Sequence, residues 1–303
     1  MSGRKRHFRK LNGILLLDKA LGVSSNKALQ DARYLFQAEK AGHTGSLDPL
    51  ASGMLPVCFG EATKVSGFLL DSDKSYITEA HLGFNSSTGD AEGQKVAVAE
   101  VPLLNAEILD QILKPFRGSI QQIPPMYSAL KKDGQPLYKW ARQGIDVERA
   151  ARSVHIHTLR LVDFSVDRLL LEVCCSKGTY IRSLVEDIGA ALACGAYVSM
   201  LRRTVVSPFQ GQRMYTLAAL HALAEQGQEA LDAVLLPVDA ALPHLAALHL
   251  QEAQVLKIRQ GQRLNVSAAE GIVRLYENHT QQFIGLGECQ AGVLRAKRLL
   301  AYY

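Results

Sequence analysis

The sequence has no Cys-x-x-Cys pair. Its five cysteines, at positions 58, 174, 175, 194 and 289, form an odd set with one adjacent pair, which suits a reducing compartment better than a disulfide framework or a zinc site. No His-Glu-x-x-His motif occurs among the nine histidines. His155 and His157 alternate as strand residues do, and read as surface decoration rather than ligands. The absence of G-x-G-x-x-G and Walker A sequences leaves no basis for a dinucleotide or nucleoside-triphosphate cofactor, and neither cofactor nor metal is expected. No apolar run reaches the roughly 18 residues of a membrane span. The basic Arg4-Lys5-Arg6 and Arg9-Lys10 precede an apolar Ile14-Leu15-Leu16-Leu17, but the run stops at Asp18-Lys19 without a small-residue cleavage site. We therefore expect a cytoplasmic protein with no membrane partner. Its basic arm is either a solvated tail or an RNA-phosphate contact.

What is present is ordinary globular material. Apolar residues make up 48% of the 303 positions, and 34 Lys and Arg against 29 Asp and Glu leave a net charge of +5, a mild bias toward polyanions. The length suggests one large and one small unit. Residues 12–17 read as a buried strand, and Ala28, Leu29, Ala32, Leu35 and Phe36 recur at helical spacing. Residues 55–59 read as a strand or a buried helix end, 62–70 as a helix, 74–82 as an alternating strand and 85–93 as a loop. A helix over 106–113 is followed by strand signals at 154–161, 169–175 and 180–181, and by a helix over 183–193. The Ala- and Leu-rich residues 216–250 read as short bridging helices, and 271–277, 283–288 and 293–300 as strands of a small barrel. Strands and helices mix without a regular βαβ period, so the fold class is α+β rather than doubly wound.

Residues 123–152 differ from their surroundings. Six cations (Lys131, Lys132, Lys139, Arg142, Arg149 and Arg152) face three anions (Asp133, Asp146 and Glu148), with Tyr127, Tyr138 and Trp140 interleaved. Cations meet phosphates and ring faces stack on unpaired bases, so the segment suits RNA; it suits an exposed helical hairpin packed on the domain below equally well.

The stretch Gly42-His43-Thr44-Gly45-Ser46-Leu47-Asp48-Pro49-Leu50-Ala51-Ser52-Gly53 concentrates turn formers around one imidazole and one carboxylate, between segments that both look helical. Asp48 before Pro49 reads as a helix N-cap, a role compatible with catalysis. Together with Gly60-Glu61-Ala62-Thr63-Lys64 and Asp71-Ser72-Asp73-Lys74-Ser75-Tyr76, this run closely resembles the bacterial TruB family of tRNA pseudouridine synthases, enzymes that isomerise uridine 55 in the T loop. Two further segments carry the likeness, Ser176-Lys177-Gly178-Thr179-Tyr180-Ile181-Arg182-Ser183-Leu184 and Met200-Leu201-Arg202-Arg203. Where the family has Pro after the Asp-Lys pair, this chain has Ala20, which loosens the loop.

The resemblance implies a catalytic domain over residues 1–249, with 123–152 as an insertion gripping the T arm, and a PUA-like barrel over 250–303. It implies tRNA as partner, no obligatory protein partner and a monomer. Asp48 becomes the nucleophile or base; a model aspartate, with pKa about 3.9, is ionised at pH 7 without tuning. Arg182, otherwise an ordinary strand-end arginine, becomes its partner, holding the carboxylate in one rotamer and favouring its charge. Tyr76 becomes the residue stacking on the flipped base, Tyr180 and Leu201 line the uracil pocket, and His43 touches the T loop. Lys19, Lys64, Arg202 and Arg203 fall at positions suited to RNA contact. Two other classes fit the same motifs: a noncatalytic RNA-binding or RNA-folding protein, and a synthase guided by separate RNA and protein subunits.

Overall fold

The computed structural model describes residues 8–301. The chain begins with β1 (Gly13–Lys19), α1 (Ser25–Leu35), β2 (Ala41–His43) and β3 (Ala51–Phe59). It continues through α2 (Ser66–Leu70), β4 (Lys74–Leu82), the hairpin of β5 (Phe84–Ser86) and β6 (Lys95–Ala97), and α3 (Ala106–Leu113). Next come β7 (Gly118–Gln122), the small hairpin of β8 (Lys131–Lys132) and β9 (Gln135–Pro136), α4 (Leu137–Ala141), β10 (Arg152–Phe164), β11 (Arg168–Cys175), α5 (Ile181–Ala191) and β12 (Ala196–Val206). After α6 (Leu217–Glu225) and α7 (Gln228–Asp232) follow β13 (Ala246–Leu250), α8 (Glu252–Arg259), β14 (Leu264–Asn265), β15 (Gly271–Glu277), β16 (Phe283–Gln290) and β17 (Val293–Leu299). No helix among the described residues is long and apolar enough to cross a membrane.

The main sheet runs β1-β3-β12-β4-β11-β10-β7, and only the β3–β12 pair on this path is parallel. β1 is buried on both faces, which is why it reads as an uninterrupted apolar run. Leu15 and Leu17 pack toward α1 and α6, while Ile14 and Leu16 pack toward the C-terminal sheet. β4 alternates strictly, with every second side chain buried from Lys74 to Leu82, beneath a core that includes Leu109, Leu113, Leu184 and Ile188. A second sheet, ordered β13-β15-β16-β17-β14, forms the small curled PUA-like domain of an α+β molecule.

One edge of β3 is shared. Residues 51–53 pair with β12, and residues 57–59 pair with β2. The loop between β2 and β3, residues 44–50, is thereby set at the fork where β12 leaves β3.

Several sequence expectations change. No helix begins at Pro49: residues 48–51 close a turn, with Ala51 N–H donating to the Asp48 carbonyl at 3.0 Å, and the chain enters β3 directly. Residues 180–181 are not a strand but the start of α5, so Arg182 stands in a helix and not at a strand end. The expected single helix over 62–70 is a 3-10 turn, Gly60–Lys64, followed by α2. Residues 246–250, expected among bridging helices, form β13 and pair with β15. Arg4-Lys5-Arg6 lie outside the described residues, whereas Arg9 is held by Asp232, its Nη1 donating at 2.6 Å.

Candidate active site

The loop carrying Asp48 is tied down from three directions. Ser25 at the start of α1 donates its hydroxyl to the Leu47 carbonyl at 2.9 Å and accepts the Leu47 N–H at 2.7 Å. Lys19, at the end of β1, donates to the carbonyls of Ala20, Val23 and Pro49 at 3.0, 2.6 and 3.4 Å. From β12, Arg203 donates to the Met54 carbonyl at 2.7 Å and the Gly45 carbonyl at 3.1 Å. Tertiary contacts, not a helix cap, therefore set the aim of Asp48.

That aim ends at a guanidinium. Arg182 Nη2 stands 3.1 Å from Asp48 Oδ2, and Nη1 stands 3.8 Å from Asp90 Oδ2. Arg182 also donates to the Thr88 carbonyl at 2.8 Å and the Tyr127 carbonyl at 2.7 Å, so its position is over-determined. It is 5% exposed, while the Asp48 side chain opens 42% toward the pocket. Burial pushes the Asp48 carboxyl above the usual aspartate range; Arg182 and then Lys19 pull it back, and Asp90 adds to the rise. The expectation of an untuned carboxylate thus gives way to one set by opposing influences.

Asp48 and Arg182 share a cavity of about 350 Å³ with Tyr76, Tyr180 and Leu201, which is the size of a small-ligand pocket. Arg203 and Lys74 complete its inner wall. Burial, above all, raises the Tyr76 phenol, with the neighbouring Arg203 acting in the opposite sense; the hydroxyl stays protonated at neutral pH. Burial and then Arg203 lower the Lys74 ammonium to about 8, and it donates to the Leu69 and Leu70 carbonyls at 3.0 and 2.8 Å.

The profile described as TruB family pseudouridylate synthase (N terminal domain) matches residues 33–181, and two TruB C-terminal profiles match residues 182–243 and 246–300. The chain belongs to the TruB family. It is 49% identical over 299 residues to the tRNA pseudouridine synthase B of Marinomonas sp. (strain MWYL1), covering 98% of this chain and 97% of that one. It is 53% identical over 305 residues to the protein of the same name from Ectopseudomonas mendocina (strain ymp), covering 100% and 99%. Among solved structures, a chain of a Cbf5-Nop10-Gar1 complex superposes with a TM-score of 0.71 at 26% identity, over 92% of this chain and 78% of that one.

In this TruB chain the remaining candidate residues separate by burial. His43, on β2, lies beside the pocket rather than on its wall; its buried Nδ1 has no hydrogen-bond partner among the described residues. Burial and then Arg203 hold its imidazole below its ordinary pKa, so it is neutral at pH 7. Lys19 and Arg203, expected as RNA contacts, are 1% and 2% exposed, and the structure shows both bonded to carbonyls in and around the Asp48 loop. Burial brings the Lys19 ammonium down to about 8, against the pull of Asp48. Arg202 is engaged by Asp18 through two hydrogen bonds of 3.0 and 2.7 Å. Lys64 lies at the junction with the second sheet, bonded to Glu61 at 2.7 Å and to the Leu299 carbonyl at 2.9 Å.

Sequence reasoning missed Asp90, Lys74 and Gln122. Asp90 sat in a stretch read only as loop, although an acidic residue among turn formers is a signal in itself. Gln122 lies on β7, a strand too short and too polar to stand out, and it grips the Tyr180 backbone. Among the described residues no group of three or more His, Cys, Asp or Glu is placed to hold a metal ion.

Proposed function

We propose that the protein is the tRNA pseudouridine(55) synthase of its cell, a cytoplasmic enzyme acting as a monomer on the T arm. The pairing of Asp48 with Arg182 at 3.1 Å, inside a pocket walled by Tyr76, Tyr180 and Leu201, carries the reading. The names of the full-length relatives supply the substrate class.

The reaction breaks the N1–C1′ bond of uridine, turns the uracil and rejoins it through C5; the C5 proton leaves and N1 regains one, so substrate and product are isomers and no co-reactant is consumed. The target base has to leave its stack to reach the pocket. Asp48 attacks the nucleotide or removes a proton, with Arg182 fixing its rotamer. Tyr76, which lines the pocket, stacks on the flipped base, and its phenolic hydroxyl could act near the C5 proton. Tyr180 and Leu201 confine the uracil, and neutral His43 contacts the T loop. The catalytic unit extends to about residue 249, with residues 123–152 gripping RNA, and the PUA-like unit follows.

Tritium release from a T-arm stem-loop labelled at uridine C5 tests this. Wild type alone, without cofactor, is expected to release label, and Asp48→Asn to release none. Release by both variants removes Asp48 from the centre, and tight binding without release by either favours the noncatalytic reading. The likeness to a chain from a Cbf5-Nop10-Gar1 complex motivates the guided alternative, which turnover of a bare stem-loop by the protein alone excludes.

A further inference from the structure

The two ends of the basic, aromatic insertion meet at the rim of the pocket. Gln122 closes β7, Arg152 opens β10, and the two stand opposite each other in register. Both hold Tyr180, from different sides. The Gln122 amide donates to the Tyr180 carbonyl at 3.2 Å and accepts the Tyr180 N–H at 3.0 Å. The Arg152 guanidinium carbon lies 4.7 Å from the centre of the Tyr180 ring, and its Nη2 donates to the Gly178 carbonyl.

The surroundings are shaped for this contact. Gly178 has φ +81°, and a Cβ there would come within 3.3 Å of the Arg152 guanidinium. Arg152 lines the pocket, and its buried Nε has no hydrogen-bond partner among the described residues. Tyr180 needs outside support because it precedes α5 without a side-chain cap of its own. Two residues further on stands Arg182, which takes the Tyr127 carbonyl of the same insertion at 2.7 Å. The first turn of α5 and the base of the insertion are thus one hydrogen-bonded unit.

We propose that Arg152 is a positioning residue for the reaction, acting through Tyr180. Its guanidinium, lying over the ring and bonded to the Gly178 carbonyl, holds Tyr180 as one wall of the uracil site and ties the RNA-gripping insertion to the catalytic centre. The proposal rests on the pseudouridine-synthase reading. A cation over an aromatic face supplies the attraction, and a planar arginine satisfies ring and carbonyl together where a lysine meets only one.

The test compares Arg152→Ala, Arg152→Gln and Arg152→Lys with wild type for tritium release, RNA affinity at several salt concentrations and melting temperature. Arg152→Ala and Arg152→Gln are expected to lower kcat about tenfold, the effect of losing one such contact. KM and the salt slope should stay unchanged, and Arg152→Lys should recover part of the loss. In a Tyr180→Ala background Arg152→Ala should cost nothing more, because the residue it acts through is gone. Four results overturn the proposal: wild-type kcat in the Ala and Gln variants; a raised KM with a salt slope smaller by about one, the mark of a phosphate contact; a kcat loss that only tracks the folded fraction; or an undiminished effect without the Tyr180 ring. Failure of wild type itself to release label strikes the functional reading instead, so the two failures are distinct.

Discussion

At the residue scale the site is a balance of charges around one carboxylate. Only the deprotonated Asp48 can attack or accept a proton, and burial raises its affinity for that proton while Arg182 lowers it. On the proposed mechanism, wild-type activity is expected to fall as pH drops through a value above the usual aspartate range. Arg182→Ala removes the larger of the two cationic influences and leaves burial and Asp90, both acting upward, opposed only by Lys19. The acid limb of kcat/KM should move to higher pH, with activity at pH 7 down by more than about tenfold. Arg182→Lys keeps the charge without the fork that holds the Thr88 and Tyr127 carbonyls, and should shift the limb less. A pH series of kcat/KM from about pH 4 to 9 decides; a limb that stays in place in Arg182→Ala sinks the account. The pairing of Asp48 with Arg182 was legible in the motifs, through the family resemblance. Their electrostatic setting was not, because burial and the approach of Asp90 exist only once the sheet has formed.

At the element scale, legibility followed periodicity. β1 announced itself as a solid apolar run and β4 as an alternation. β12 gave neither signal: its middle is half-buried on both faces and it carries Arg203 inward, a residue type that pattern reading assigns to the surface. Yet β12 makes the fork that sets the Asp48 loop, and Gly53 permits it. Gly53 has φ +101°, and a Cβ there would lie 2.2 Å from the Arg203 carbonyl oxygen, so any other residue pushes β12 off β3. Gly53→Ala should cost about 2–4 kcal/mol and displace Leu201 and Arg203 from the pocket wall. Gly22→Ala is the control, with φ +79° but nothing within 4 Å of the added Cβ; it carries the backbone strain alone. Urea midpoints of the two variants measure the difference, and equal losses would mean that the close approach of β12 contributes nothing.

At the scale of the whole molecule, the sequence suggested two units but not that they share a core. The inner face of β1 looks the same in sequence whether a helix or a second domain covers it. In the structure Ile14, Leu16, Met54, Cys58 and Val206 of the main sheet pack in one cluster with Phe283, Leu286 and Leu300 of the C-terminal part. Polar ties reinforce the junction: Glu61 accepts the Ala301 N–H at 2.5 Å, and Tyr276 donates to Asp239 at 2.6 Å. An apolar junction of this kind couples the two parts, because opening it exposes the buried faces of both. The buried cysteines supply internal probes, Cys194 in the main core, Cys58 in the shared cluster and Cys289 in the C-terminal sheet. Under increasing denaturant all three thiols should become reactive over the same concentration range, followed by labelling and mass spectrometry. Labelling of Cys289 at a clearly lower concentration than Cys194 would show that the small sheet unfolds alone. Coincident labelling carries a consequence for the enzyme: a chain cut before Ala246 should melt well below the full protein and expose the inner face of β1. Loss of turnover in such a truncation would then report a damaged catalytic sheet rather than a missing RNA contact.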